Sequence, residues 1–302
     1  MQQTNYLDLP NCLRLSNGEI EVVVATDIGP RILFYGFAGG ENILGEHPHA
    51  AVSTPLGEWK PYGGHRLWIA PENMPNSYAP DNSPVEYSSD ENENSIRLVQ
   101  PPEPVTMTQK EIILKLEATG TDLTLEHKIT NLGDAQIEIA PWALTIMRGG
   151  GEAVIPNEPF APYSGENLLP VRSLAVWSYT DFSDSRWSFE KNYIRLRTDD
   201  NKHEPQKIGV LNHQGWAAYI WQELLFIKRY DSIENALYPD FNCNTELYTA
   251  GSFIEVESLA PLQSVAPGES AMHTERWQLF SNTSLDNVIN ADSAEPAQIP
   301  QR

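Results

Sequence analysis

Glu111-Ile112-Ile113-Leu114-Lys115-Leu116-Glu117-Ala118-Thr119-Gly120-Thr121-Asp122-Leu123-Thr124-Leu125-Glu126-His127-Lys128-Ile129-Thr130 reads as two strands around a turn at Thr119-Gly120-Thr121. Apolar side chains recur at every second position, the period of a half-buried strand rather than of a helix. The same period runs outward from this hairpin. In Glu19–Ala25, Ile20, Val22 and Val24 share one face. Ile137–Ile139 leads into the apolar run Ala140–Met147, Trp216–Trp221 and Leu224–Arg229 form a second pair, and Ser252–Ser258 and His273–Phe280 flank the turn Ala266-Pro267-Gly268. No segment holds a capped helical period, and Ser284–Val288 is at most a short helical turn. With 23 prolines and 19 glycines spread along 302 residues, the chain is expected to be all-β. Residues 1–282 read as one domain and 283–302 as a flexible tail. Pro71–Pro84 and Pro156–Pro170 are expected to be long ordered loops, of the kind that carry function.

The formal net charge is −21. A surface this negative repels nucleic acid and anionic membranes and suits a neutral ligand. No run approaches the ~20 apolar residues of a membrane span. The start, MQQTNYLDLPNC, lacks the basic and apolar regions of a signal peptide, so a cytoplasmic protein with reduced Cys12 and Cys243 is expected, as a monomer or homodimer. No phosphate-binding loop, dinucleotide fingerprint, nucleophile elbow or paired-cysteine motif occurs, so no cofactor is expected. Nor is a metal: His47 and His49 have no partner cluster, and the loop around Asp240, Asn242, Asn244 and Glu246 lacks the spacing of a calcium loop.

Functional side chains concentrate in Pro61-Tyr62-Gly63-Gly64-His65-Arg66-Leu67-Trp68-Ile69-Ala70-Pro71-Glu72. Arg66 offers a fork of donors to sugar hydroxyls, and Trp68 a ring for stacking. The plainer reading is a buried tryptophan beside an Arg66–Glu72 ion pair. In Phe253-Ile254-Glu255-Val256-Glu257-Ser258, alternation places Glu255 and Glu257 on one face, about 6.6 Å apart at ~3.3 Å per residue. Each carboxylate disfavours ionisation of the other, which suits a proton carrier near neutral pH. Two ordinary glutamates on a solvated face are the alternative. Trp142, in Ala140-Pro141-Trp142-Ala143, is either a core or a cleft residue. His127, in phase with Leu123, Leu125 and Ile129, and His273, in phase with Trp277, are expected to face inward.

These segments, with Ile28-Gly29-Pro30-Arg31-Ile32, Pro80-Asp81-Asn82-Ser83-Pro84, Tyr238-Pro239-Asp240 and Pro267-Gly268-Glu269, resemble the galactose mutarotase-like superfamily, in a branch related to aldose 1-epimerases. The resemblance spans roughly residues 12–280 and implies a supersandwich of twisted antiparallel sheets that binds a small carbohydrate. It implies Glu257, before Ser258-Leu259-Ala260-Pro261, as base and Arg66 as sugar ligand. The family's acid is a histidine where this chain has Ala140-Pro141-Trp142, so His65 is the expected substitute. Trp68, Glu72, Asn82, Trp142, Lys228, Asp240 and Glu255 complete the expected substrate contacts. An epimerase that opens the sugar ring by acid–base catalysis is the leading expectation. A non-catalytic sugar-binding protein and a polysaccharide lyase or hydrolase are the alternatives.

Overall fold

The hairpin at 111–130 forms in register, with Thr108–Leu116 against Leu123–Asn131 and Leu116 opposite Leu123. This computed structural model describes residues 1–47 and 49–294. Among them, two large antiparallel sheets hold most of the strands. The eleven-stranded sheet runs Gln2–Tyr6, Leu9–Ser16, Ile20–Ala25, Arg31–Phe37, His65–Ala70, Ile137–Met147, Ile254–Leu259, Thr245–Thr249, Gln206–Val210 and Leu174–Val176, with Gln263–Val265 paired beside Ile137–Met147. The ten-stranded sheet runs Glu86–Asp90, Ser95–Val99, Thr108–Leu116, Leu123–Asn131, Ser270–Ser281, Leu224–Tyr230, Trp216–Trp221, Glu152–Pro156, Tyr193–Arg197 and Trp187–Phe189.

The main core lies between the sheets. Ile20, Val22, Val24 and Ile32 of the first meet Leu114, Leu125, Phe226 and Trp277 of the second. Burying such side chains contributes about 1.5–3 kcal/mol each. A second apolar cluster, Trp59, Trp68, Ala70, Ala140, Trp142, Leu144 and Leu259, covers the other face of the eleven-stranded sheet. Its central strands are therefore buried on both sides, and Ala140–Met147 reads as a continuous apolar run for that reason.

The expected tail is corrected in part. Leu285–Ala294 is a helix, and its Leu285, Val288 and Ile289 pack on Trp216, Ala218, Leu225 and Ile227. That spacing places three apolar side chains on one face. Residues 295–302 of the expected tail lie outside the described residues. No helix among the described residues is long and apolar enough to cross a membrane. Cys12 and Cys243 are free and buried.

Candidate functional site

The site is assembled by register. Leu144 lies opposite both Arg66 and Glu257, Glu257 opposite Glu246, Trp142 opposite Trp68, and Glu255 opposite Tyr248. Partners across an antiparallel ladder share a face. These residues therefore project away from the second sheet, and the intervening His65, Thr145 and Val256 project toward it. The strand is seated by Gly63 and Gly64, with φ of +95° and +69°. A Cβ on Gly64 would stand 1.9 Å from the Ile32 carbonyl oxygen, and one on Gly63 2.1 Å from that of Gly45. Only glycine permits both the backbone angle and the approach.

On this outer face lies a cleft of about 620 Å³. Aromatic rings form much of its wall: Trp59, Trp68, Trp142 and Trp177, with Tyr78, Tyr179, Tyr248 and Phe253. Trp59, Trp68 and Trp142 meet edge to face in sequence, at 5.4 Å per pair. The Arg66 guanidinium is 4.7 Å from the ring centres of both Trp59 and Trp68. Its Nη2 donates to Glu255 Oε1 at 3.0 Å, while Nε and Nη1 are buried with no protein partner. The Arg66–Glu72 pair considered from sequence does not form; Glu72 instead accepts from Tyr78 Oη at 2.6 Å.

Glu255 and Glu257 share this face, as alternation requires, but of the two only Glu255 lies in the cleft wall. Burial raises its pKa to about 7, with the Arg66 charge opposing and Glu257 reinforcing the shift. Glu257 is wholly buried: its Oε2 accepts from Trp142 Nε1 at 2.8 Å and from Lys207 Nζ at 3.2 Å. The same ammonium is 2.7 Å from Glu246. Burial would discharge Lys207, but Glu246 and Glu257 outweigh it and hold the lysine charged. One cation serves two buried carboxylates, so Glu246, desolvated and beside Glu257, is driven toward its protonated form. His47 is held neutral, first by burial and then by the Arg66 charge, and its Nε2 is buried without a partner.

His65 is not in the cleft, which corrects its expected role as acid. It is wholly buried on the opposite face, where Nδ1 is 2.9 Å from Thr145 Oγ1 and Nε2 is 2.7 Å from His127 Nε2. Lys228 is corrected likewise: it crosses the core from the second sheet to donate to Thr145 Oγ1 and the Val256 carbonyl, and it pairs with Glu275 at 2.7 Å. The hydrogen bonds fix the imidazole tautomers. His127 Nδ1 must donate to the His273 carbonyl, so His127 Nε2 accepts from His65 Nε2–H, and His65 Nδ1 accepts from Thr145. Ser258 donates to Glu275 and is free to accept from His273 Nε2–H. Burial lowers the pKa of all three histidines, that of His273 to about 3, so the network is satisfied with neutral rings. Ligand atoms of His65, His127 and Glu275 lie within 4.8 Å of one another, but their lone pairs are committed and the Lys228 ammonium already occupies Glu275.

Asn82 and Asp240 are also corrected, since neither lines the cleft. Asn82 is exposed and donates to the Glu58 carbonyl, and Asp240 occupies the tight turn Pro239–Asn242 with a φ of 50°. Sequence reasoning missed Lys207, Trp59, Trp177, Tyr179 and Tyr248, and it weighed His47 only as a metal ligand. Lys207 follows the period of Gln206–Val210, but nothing local signals a partner fifty residues on.

No protein-family pattern and no curated protein sequence matches the chain. Its likeness to solved structures shows a galactose mutarotase-like fold. A galactose mutarotase-like protein from Lactobacillus casei superposes with a TM-score of 0.55 at 10% identity, covering 89% of this chain and 100% of that one. The Slr1438 protein from Synechocystis gives 0.54 at 14%, covering 94% and 100%. A TPR-domain containing protein from Parabacteroides distasonis gives 0.62 at 14%; it matches 96% of this chain, which spans 50% of that longer protein.

Proposed function

We propose that the cleft binds a carbohydrate and interconverts the anomers at its reducing end. The observation that carries this reading is Glu255: a carboxyl held near pH 7 and oriented by the buried Arg66, in the wall of an aromatic-lined cleft. Rings of this kind stack on the apolar face of a pyranose, while the Arg66 charge, held against Trp59 and Trp68, orients Glu255. Protonated Glu255 gives its proton to the ring oxygen as neutral His47 takes the proton of the anomeric hydroxyl. The bond from C1 to the ring oxygen breaks, the aldehyde forms, C1–C2 rotates, and closure on the other face returns both protons. This assignment moves the acid–base work from Glu257 and His65 to Glu255 and His47. Glu257 then anchors Lys207 and Trp142.

The rate at which α-glucose and α-galactose mutarotate, followed by polarimetry, tests it. Wild type is expected to outpace buffer, and Glu255→Gln to lose about 10²–10⁴-fold. A wild type no faster than Glu255→Gln on either sugar ends the epimerase reading. Trp142 supports a second reading, a sugar-binding protein without turnover. It stands where the resemblance implies a histidine, and its N–H is spent on Glu257. That reading predicts calorimetric binding with no acceleration.

A further inference from the structure

A polar groove of about 660 Å³ lies beside the cleft, and His47 stands in the wall of both. Three stretches of chain pass directly from one to the other. Ile146 is in the cleft and Arg148 in the groove; Phe253 is in the cleft and Ser252 in the groove; His47 is shared and Glu46 lies in the groove. The His47 ring sits 5.0 Å from Phe253 at the junction. Arg148 is oriented by its 3.7 Å stack on Trp221 and by hydrogen bonds to Glu41 and the Asn42 carbonyl. Gly149 and Gly150 bring bare backbone to the same wall.

The groove's carboxylates, Glu41, Glu46 and Asp200, outnumber its one guanidinium, which disfavours an anion, and together with Asn42, Ser252 and the glycine backbone they offer hydrogen-bond partners to a neutral, hydroxyl-rich ligand. The cleft alone already has the volume of a pocket for a drug-sized ligand, more than one pyranose ring requires. We infer that the groove is a second sugar subsite, and that the natural ligand is a reducing oligosaccharide. Its terminal ring lies in the cleft, and the next ring continues past His47 into the groove. The inference rests on the cleft taking carbohydrate.

Calorimetry with glucose and with maltose, cellobiose and lactose, which share a glucose reducing end, tests it. At least one disaccharide is expected to bind the wild type about ten-fold tighter than glucose or better. Ser252→Trp fills the groove from an exposed position, and Asp200→Trp, also exposed, is read in parallel. Both are expected to abolish the disaccharide's gain while leaving glucose within about two-fold of wild type. If no disaccharide exceeds glucose, or the variants weaken glucose and disaccharide alike, the second subsite is overturned and the cleft reading stands. If neither glucose nor any disaccharide binds, the cleft reading falls, and the subsite with it.

Discussion

At Glu255 and His47 the cleft holds two titratable groups in the forms that proton transfer needs. Glu255 is half protonated near pH 7, and the His47 pKa lies below its usual 6.5. The working state, protonated Glu255 with neutral His47, is lost above pH 7 as the carboxyl ionises and lost in acid as the imidazole charges. A bell-shaped pH–rate profile is therefore expected, with its alkaline limb near 7 and its acid limb below 6.5. A profile flat from 6 to 9 would remove Glu255 from the mechanism. The shared face of Glu255 and Glu257 was legible in the period of two. Which of them lines the cleft was not, because Trp142 and Lys207, contributed from other strands, seal Glu257. Alternation also bears on His65: consecutive strand residues point to opposite faces, so Arg66 and His65 cannot both line one cleft.

Among the elements, His65–Ala70 depends on the two glycines before it. Gly64→Ala would drive a methyl group into the Ile32 carbonyl at a left-handed backbone angle, and is expected to cost about 3 kcal/mol or more. Urea unfolding should show a clear drop in midpoint, whereas Gly165→Ala, where no atom lies within 4 Å of the added carbon, should move it little. The hairpins were legible because one face of each meets the core and alternation survives. Ala140–Met147 shows no alternation because both faces are covered. The C-terminal helix was legible only as a turn: three apolar residues are a weak signal, and the surface they cover belongs to strands about seventy residues earlier.

Across the whole molecule, the buried imidazoles set the response to acid. The unfolded chain protonates His65, His127, His273 and His47 below about pH 6.5, the ordinary histidine value, whereas the folded chain resists because each pKa is lowered. Their contribution is thus fully present above pH 6.5 and lost as pH falls. Glu255 and Glu246, with raised pKa values, bind protons in the folded state first and oppose this. The three wholly buried imidazoles outnumber the two carboxyls, so stability should fall as the pH drops from 6 to 5. Urea titrations at several pH values measure that slope, and a rising stability over the interval would contradict neutral core histidines. The floor of the cleft is also the roof of this network, a single layer of backbone with the aromatic cleft on one side and the histidines on the other. Mutational freedom on the central strands is thereby divided residue by residue: in Ile254–Leu259 only Glu255 borders open space, while its neighbours on both faces answer to folding.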